Sequence, residues 1–168
     1  MKKPRNDGHL PQIASADLIN EFAETTIRVR YAETDQMGVV YHANFFTWFE
    51  VGRVEWCRRL GFDYKKMELE DDSHIVVADS HCRFKRPARF DDILVIRTRL
   101  IQSQRRTVRF GYEIVNQDSG EVLAIGETLH VICDRRGRPK SLPEKYRHFF
   151  GLDAHQPSVP AAKSQGAS

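Results

Sequence analysis

The chain reads Tyr31-Ala-Glu-Thr-Asp35-Gln-Met-Gly38-Val-Val-Tyr41-His42-Ala-Asn44-Phe45 between a predicted strand and a predicted helix. This segment places one carboxylate, Asp35, in the loop that leads into the helix. The first N–H groups of a helix have no partner inside it and carry a partial positive charge. They favour an ionised carboxylate nearby and polarise a carbonyl oxygen placed on them. We therefore predict that this loop is the site of chemistry.

The helix that follows is predicted over Asn44–Leu60. Its residues are mostly apolar, and only a narrow strip is polar (Glu50, Arg53, Glu55, Arg58 and Arg59). A helix on a protein surface has a wider polar face than this. We therefore expect the helix to be largely enclosed by the rest of the fold. Gly61, just past its end, is the expected stop signal.

Five segments show the patterning of β-strands. They are Ile27–Tyr31 before the helix and Ile75–Phe84, Ile93–Ile101, Thr107–Asn116 and Val122–Cys133 after it. The polar connections Gln102–Arg106 and Gln117–Gly120 are typical of hairpins. Successive hairpins form an antiparallel sheet, and a single buried helix must pack on one of its faces. The predicted fold class is α+β, with a five-stranded antiparallel sheet wrapped around a long central helix.

Length and composition limit the kind of protein this is. With 168 residues and 40% hydrophobic content, the chain has room for one domain with a sizeable core. The formal charge of +3, from 26 basic and 23 acidic residues, gives no argument for a nucleic acid or membrane partner. No run approaches the roughly 18 apolar residues of a transmembrane segment, and no signal peptide pattern is present. We expect a soluble, cytoplasmic protein.

Cysteine and histidine usage gives no sign of a metal site. Cys57, Cys82 and Cys133 are odd in number and widely spaced, so they build neither a disulfide framework nor a metal clip. This usage fits a reducing compartment. His74, His81 and Cys82 do not form a tetrahedral ligand set, because His81 and Cys82 point to opposite faces of a strand. No metal and no cofactor are expected.

The chain divides into three parts by composition. Residues 1–22 carry Pro4, Gly8 and Pro11 with little periodicity, apart from a possible helical turn at Asp17–Ala23. Residues 153–168 are rich in Pro, Ala, Ser, Gln and Lys. Such segments cannot bury enough apolar surface to fold. We predict a flexible arm over 1–22, a folded domain over 23–152 and a disordered tail over 153–168.

The pattern Tyr31-x-x-Thr34-Asp35-x-x-Gly38-Val39-Val40-Tyr41-His42-x-Asn44-Phe45, with Phe49-Glu50 in the aromatic-rich helix behind it, resembles a known family signature. It is the signature of the hotdog-fold 4-hydroxybenzoyl-CoA thioesterase family, and within it the branch of short acyl-CoA thioesterases that includes those associated with the Tol-Pal system. By strand order the resemblance extends from about Thr26 to Phe150. It implies a hotdog domain that hydrolyses an acyl-CoA thioester to a free acid and coenzyme A.

The resemblance assigns catalytic roles to three residues. Asp35 is the catalytic carboxylate, either as nucleophile on the thioester carbon or as general base on water. Backbone N–H groups near Tyr41 and His42 polarise the thioester carbonyl, and His42 binds the substrate or assists proton transfer. The competing interpretations are structural. Asp35 would then be a turn or capping aspartate, and His42 a satisfied histidine beside an apolar helix.

The resemblance also assigns the phosphates of coenzyme A to a basic hairpin, whose positions are occupied by Arg105 and Arg106. Arginine suits phosphate because its planar fork donates paired hydrogen bonds. Two other basic clusters, at 83–89 and 135–140, are predicted to be solvated surface. Glu50 is a candidate to reach the cleft of a neighbouring subunit, but we favour an ion pair with Arg53, three residues further along the helix.

Partners and alternatives follow from the same comparison. Hotdog proteins pair into dimers with active sites at the interface, and many form tetramers, so we expect a homodimer or homotetramer. Acyl carrier protein is an alternative carrier to coenzyme A. The alternative functions are a hotdog hydroxyacyl-thioester dehydratase and a non-catalytic acyl-thioester sensor or adaptor. The presence of Asp35 disfavours both. The acyl group stays open between short aliphatic, long aliphatic and aromatic.

Overall fold

The structure, a computed structural model, describes residues 21–152. The predicted tail, nearly all of the predicted arm and most of the helical turn expected at Asp17–Ala23 lie outside these residues. The strands are β1 (Ala23–Arg28), β2 (His74–Phe84), β3 (Ile93–Ser103), β4 (Thr107–Asn116) and β5 (Val122–Cys133). The helices are α1 (Ala43–Arg59), α2 (Tyr64–Asp71) and α3 (Glu144–Arg147), with short 3₁₀ turns at Tyr31–Glu33 and His148–Phe150.

The five strands form one antiparallel sheet in the order β1-β3-β4-β5-β2. The hairpins predicted between β3 and β4 and between β4 and β5 place these three strands at the centre. β1 and β2 are the two edges. The β2 edge carries exposed apolar side chains, with Val76, Val77 and Phe84 each about half exposed.

α1 packs on one face of this sheet through its aromatic side chains. The ring of Phe49 stacks on Tyr112 of β4, with centroids 4.4 Å apart. The ring of Trp56 meets Phe110 edge to face at 5.2 Å. Helix and sheet approach closely at two glycines. A Cβ added to Gly52 would lie 2.3 Å from a side chain of β3, and one added to Gly126 would lie 2.3 Å from the Phe49 ring.

The prediction of the strands was confirmed except at the first. β4 and β5 have the predicted bounds, and β2 and β3 differ from them by one or two residues. The strand predicted at Ile27–Tyr31 instead occupies Ala23–Arg28. The pairing explains the difference, because Arg28 lies opposite Ile93, where β3 begins. Beyond Arg28 the chain has no strand to continue along, and Tyr31 starts a 3₁₀ turn.

The predicted helix is present with its bounds moved by one residue, and part of its surface is exposed in the single chain. One face of α1 is buried (Phe45, Trp48, Phe49, Gly52, Trp56 and Cys57). Phe46, Thr47 and Glu50 on the other side are exposed, because a single sheet covers only one face of a helix. The prediction also missed α2, in which Met67 is the one buried residue.

No helix within residues 21–152 has the length and apolar content to cross a membrane.

Candidate active site

The loop between β1 and α1 holds Asp35 in a tight turn. The N–H of Asp35 donates to the carbonyl of Val39 at 2.8 Å, and the N–H of Gly38 donates to the carbonyl of Asp35 at 2.9 Å. Gly38 has φ +73°, a left-handed conformation that glycine adopts without strain. Thr34 and Val40 pair on either side of the turn. The sequence Asp35-x-x-Gly38 therefore forms a small hairpin that presents the aspartate.

The two carboxylate oxygens of Asp35 differ in their surroundings. Oδ1 accepts a hydrogen bond from the N–H of Met37 at 2.8 Å, which is the contact expected of a turn aspartate. Oδ2 accepts no hydrogen bond from any residue within 21–152. The side chain is half buried. Asp35 can therefore be a turn aspartate and still take part in chemistry, since one oxygen orients the carboxylate and the other is left for a substrate or a water molecule.

A buried carboxylate that the sequence analysis missed, Glu33, anchors this loop. Its side chain is 5% exposed and accepts hydrogen bonds from the backbone and side chain of Arg30 and from Trp48. Its backbone carbonyl accepts from the N–H of Tyr41 and from the side-chain amide of Asn44. Burial by itself would raise the pKa of Glu33, but the hydrogen bonds from Arg30 and Trp48 hold it below the ordinary value. Two of its partners, Asn44 and Trp48, lie on α1, so the contacts that bury it do not show in the local sequence.

The backbone N–H groups at the start of α1 are those of His42 and Ala43. The N–H of Tyr41, which the prediction had included, is already used, because it donates to the carbonyl of Glu33 at 2.9 Å. The N–H groups of His42 and Ala43 donate to no residue of the described part of the chain. His42 is the residue that immediately precedes the helix. A carbonyl oxygen bound here would therefore meet N–H groups one residue later than predicted.

The side chains of Tyr41 and His42 are exposed and lie against each other, with ring centroids 4.4 Å apart. The imidazole makes no hydrogen bond to any described residue, so His42 is not the satisfied structural histidine of the alternative interpretation. It borders a cavity of about 290 Å³ with an apolar floor and two cations, Lys85 and Arg86. We call this the His42 cavity. Phe45 and Phe84 form its floor, with their rings 5.1 Å apart.

Glu50 does not make the ion pair that the sequence favoured. Arg53 donates instead to the hydroxyl of Tyr64 at 2.8 Å, and no ion pair between Glu50 and Arg53 forms among the described residues. The prediction was wrong because α2 brings Tyr64 to the guanidinium. Glu50 borders a second cavity, of about 350 Å³, between α1 and the sheet.

Arg105 and Arg106 do not meet the other predicted site residues within one subunit. The Asp35 loop follows Arg28, which pairs with Ile93 at the beginning of β3. Arg105 and Arg106 follow Ser103, at the other end of the same strand. The 11 residues of β3 separate the two ends by roughly 30 Å, at about 3.3 Å for each residue. Both arginines are exposed. The cations that the fold brings to His42 are those of the cluster predicted to be solvated surface, Lys85 and Arg86.

The cysteines are poor candidates for a nucleophile. All three are free thiols, and Cys57 is buried. Burial raises the pKa of Cys57 to about 12 and that of Cys82 to about 11, so neither forms a thiolate readily at neutral pH. Within residues 21–152 no group of three or more His, Cys, Asp or Glu side chains is arranged to hold a metal ion. Asp35, with one carboxylate oxygen that accepts no hydrogen bond from a described residue, is a candidate for attack or proton transfer.

Comparison with known proteins identifies the family of the chain. The model of the thioesterase-like superfamily matches residues 29–150. The putative acyl-CoA thioesterase YneP of Bacillus subtilis is 38% identical over 109 residues, which are 65% of this chain and 78% of that protein. The acyl-CoA thioester hydrolase YbgC of Escherichia coli O6:H1 is 33% identical over 119 residues, which are 70% of this chain and 87% of that protein.

The solved structures give the same family. The crystal structure of DHNA-CoA thioesterase from Staphylococcus aureus is 31% identical and superposes with a TM-score of 0.69. The match covers 77% of this chain and 84% of that one. The family match spans most of the chain, including the Asp35 loop, α1 and β2 to β5. The chain belongs to the thioesterase-like superfamily of hotdog proteins.

Proposed function

We propose that this protein is an acyl-CoA thioesterase, which hydrolyses an acyl thioester to a free acid and coenzyme A. One observation carries the proposal. Asp35 has one carboxylate oxygen held by the N–H of Met37 and the other free of hydrogen bonds from described residues, in the turn that leads to the unpaired N–H groups of His42 and Ala43. A thioester needs an anionic attacker or base together with a polarised carbonyl. The names of YneP and YbgC support the same activity.

In the proposed mechanism the thioester carbonyl oxygen accepts hydrogen bonds from the N–H groups of His42 and Ala43. The partial positive charge at the start of α1 stabilises the negative charge that develops on this oxygen. Asp35 either attacks the carbonyl carbon or takes a proton from the water that attacks it. In both routes the carbon–sulfur bond breaks and the thiolate of coenzyme A takes up a proton. In the first route the acyl group is left on Asp35 as an anhydride, which a water molecule then hydrolyses to the free acid and the aspartate. His42, whose ring lies against that of Tyr41, binds the substrate or supplies the proton that the thiolate takes up in this proposal.

The phosphates of coenzyme A require cations outside the catalytic turn. Lys85 and Arg86 border the His42 cavity in the same subunit, and we include them in the proposal. Arg105 and Arg106 lie at the opposite end of the sheet. They can serve the same nucleotide only if they come from another subunit.

Assembly is therefore part of the proposal. The β2 edge exposes unpaired backbone and the side chains of Val76 and Val77, which is the kind of edge that a second strand covers. We propose a homodimer or homotetramer with active sites at the subunit interface. The face of α1 that carries Phe46 and Glu50, exposed in the single chain, is then covered. The long helix becomes central only in this assembly, and Glu50 reaches the cleft of the neighbouring subunit.

The finer identity of the enzyme also remains a proposal. The similarity to YbgC supports the branch of short acyl-CoA thioesterases, including those associated with the Tol-Pal system. The three free cysteines support a reducing, cytoplasmic location. Acyl carrier protein is the alternative carrier of the acyl group.

Release of free thiol from a panel of short, long and aromatic acyl-CoAs, and from acyl carrier protein thioesters, tests this function. Asp35→Asn keeps an oxygen that can accept from Met37, so the turn is retained while the charge is lost. We expect kcat to fall about 10²- to 10⁴-fold. Asp118→Asn, in the exposed turn between β4 and β5, is the matched control and should be fully active.

Two results would contradict the proposal in different ways. Undiminished hydrolysis by Asp35→Asn would refute the mechanism but leave the activity. No turnover of any thioester by the wild-type protein would refute the activity and favour the sensor.

A further inference from the structure

The face of the sheet that points away from α1, which we call the outer face, is only partly covered. Along β3 every second residue from Leu94 to Leu100 is buried on the α1 side, and the residues between them are half exposed. Leu129 and Val131 of β5 also lie on the outer face and are half exposed. An antiparallel sheet can leave one face to water, and that face is then normally polar. The apolar residues of the outer face are therefore candidates for contact with another part of the protein.

Apolar side chains lie on the outer face on both sides of β4. Ile101 of β3 lies beside Gly111 of β4, since a Cβ added to this glycine would be 2.6 Å from the Ile101 side chain. Leu129 and Val131 lie on β5, on the other side of β4. Because Gly111 has no side chain, the middle of the face is low. A segment that crosses β4 at Gly111 can contact apolar groups on both sides.

The chain enters the described structure on this face. Phe22 immediately precedes β1, and the guanidinium of Arg99 lies over its ring, 5.1 Å from the centroid. Arg99 is an outer-face residue of β3, opposite Gly111 on β4. Its neighbours Arg97 and Arg109 pair with carboxylates, whereas Arg99 forms no ion pair among residues 21–152. The contact with Phe22 therefore brings the residues that precede β1 to the outer face.

The sequence before β1 has the pattern of an amphipathic turn. Leu18, Ile19 and Phe22 recur at i, i+1 and i+4, a spacing that places all three on one side of a helix. Asp17 and Asn20 fall on the opposite side of the same turn. A helix with this pattern packs its apolar side on another apolar surface and leaves the polar side to water.

This turn is long enough to cross the sheet. From residue 22 back to Ser15 a helix spans roughly 10 Å, at about 1.5 Å for each residue. Neighbouring strands are about 4.8 Å apart, so β3 and β5, which lie on either side of β4, are also separated by roughly 10 Å. Gly111 pairs with Arg99 of β3 on one side and with Glu127 of β5 on the other. A helix that ends at Phe22 above Arg99 can therefore cross β4 at Gly111 and reach β5.

We propose that residues 15–22 pack on the outer face of their own sheet, with Leu18 and Ile19 against Ile101 and Leu129. The tail over 153–168 is a poorer occupant, because Val159 is its one large aliphatic residue. A second copy of the chain is a poorer occupant as well, because Phe22 already lies on this face. The inference is independent of the proposed catalysis and concerns residues that precede the family match, which begins at residue 29. It leaves the β2 edge and α1 as the surfaces through which subunits meet.

Hydroxyl-radical footprinting of the full chain tests this cover, because it measures the solvent access of individual side chains as their rate of oxidation. A variant with both Leu18→Asp and Ile19→Asp places charges on the apolar side of the turn. We expect the oxidation of Ile101 and Leu129 to rise several-fold in this variant. Leu10→Asp, before the amphipathic turn, is the matched control and should leave both rates unchanged. Leu69, 72% exposed on α2, should oxidise equally in all three proteins and calibrates the dose.

The reciprocal experiment changes the sheet and observes the turn by amide hydrogen exchange. In the wild-type protein we expect residues 16–20 to exchange about tenfold more slowly than residues 2–8, because packing holds the turn in place. Ile101→Glu puts a charge on the half-exposed outer face and should remove this difference. Thr26→Glu, on the same face of β1 but four residues beyond Phe22, is the control and should retain it.

Three results would overturn the inference. The first is equal oxidation of Ile101 and Leu129 in the wild-type protein and the double variant. The second is exchange of residues 16–20 in the wild-type protein as fast as that of residues 2–8. The third is protection of Ile101 and Leu129 that increases with protein concentration and persists in the double variant, which would assign the outer face to a second copy of the chain.

Discussion

The indole N–H of Trp48 donates a 3.2 Å hydrogen bond to the carboxylate of Glu33. This contact joins the 3₁₀ turn before Asp35 to the second turn of α1. The backbone of Glu33 adds two further links, to Tyr41 and to Asn44. The Asp35 turn and the N–H groups of the helix start are therefore held relative to each other by one buried residue. We propose that Glu33 is a positioning residue, which acts on the proposed site through this geometry.

Glu33→Gln should destabilise the protein and disturb the active site together. It weakens charge-assisted hydrogen bonds, which contribute about 1.5–3 kcal/mol to the free energy of unfolding. Trp48→Phe removes the indole N–H and leaves a small cavity in the core, so it should also destabilise the protein. The double variant should cost less than the sum, because both changes affect the same hydrogen bond. Urea denaturation measures these values. Glu55→Gln, which removes an ion pair with Arg58 at the surface, should cost within about 1 kcal/mol. Strict additivity of the two changes would contradict the coupling.

The contribution of Glu33 should depend on pH. Burial opposes its ionisation, but hydrogen bonds from Arg30 and Trp48 leave its pKa below the ordinary value in the folded chain. Such a carboxylate stabilises the fold above its unfolded pKa, about 4.3, and this stabilisation is lost as the pH falls through the folded pKa. The difference in unfolding free energy between wild type and Glu33→Gln should therefore be full at pH 7 and shrink below about pH 4. A difference independent of pH would show that the charge of Glu33 has no role.

The close approach of helix and sheet predicts that Gly126→Ala is destabilising. The new Cβ would meet the Phe49 ring at 2.3 Å and the backbone oxygen of His81 at 2.9 Å. Overpacking of this kind costs about 1–3 kcal/mol. Gly52→Ala also meets β3, but alanine favours the helix by about 1 kcal/mol over glycine, so its net cost should be smaller. Thermal unfolding measures both variants. An unchanged melting temperature for Gly126→Ala would contradict the packing described.

A charge on the β2 edge should disrupt the proposed assembly. Val76 is 48% exposed in the single chain, and Val76→Lys places a cation where a second strand would pair. We expect sedimentation velocity to show a shift towards monomer, with loss of activity if the sites are interfacial. Leu69→Lys, on the exposed side of α2, is the control for an added surface charge and should leave the assembly intact. An unchanged assembly in Val76→Lys would place the interface elsewhere.

Two basic clusters compete for the phosphates of coenzyme A, and substrate truncation distinguishes them. Lys85→Gln and Arg86→Gln should each raise KM about two- to fivefold for an acyl-CoA, as expected for the loss of one exposed charged contact. They should leave KM unchanged for the corresponding acyl-pantetheine, which lacks the nucleotide. Arg105→Gln and Arg106→Gln should show the same effect on KM as these two variants only if a neighbouring subunit supplies Arg105 and Arg106 to the phosphates. Arg138→Gln, in the third basic cluster, is the control. Equal losses for both substrates would contradict phosphate binding.

Local patterns were sufficient where an element depends on its own residues. The alternation of β4 and β5 and the polar turn between them predicted both strands with their observed bounds. The apolar run of α1 predicted a helix of the observed length, moved by one residue. β1 was misplaced because its end is set by the start of β3, more than sixty residues later in the chain. For the same reason the sequence did not predict that Phe46 and Thr47 of α1 are exposed in the single chain, since the layers that cover a helix are not encoded within it.

The sequence by itself determined the order of the five strands and α1, the turn at Asp35-x-x-Gly38 and the position of His42 close to the start of α1, because hydrogen bonds and side-chain alternation among near neighbours decide these. The tertiary structure alone decided which distant groups meet. Glu33 is buried against Trp48, and Arg53 donates a hydrogen bond to Tyr64 and makes no ion pair with Glu50. Lys85 and Arg86 line the same cavity as His42. The tertiary structure also aligned Tyr112 with Thr128 and His130. These contacts depend on strand register and on the packing of helix against sheet, which no local pattern contains.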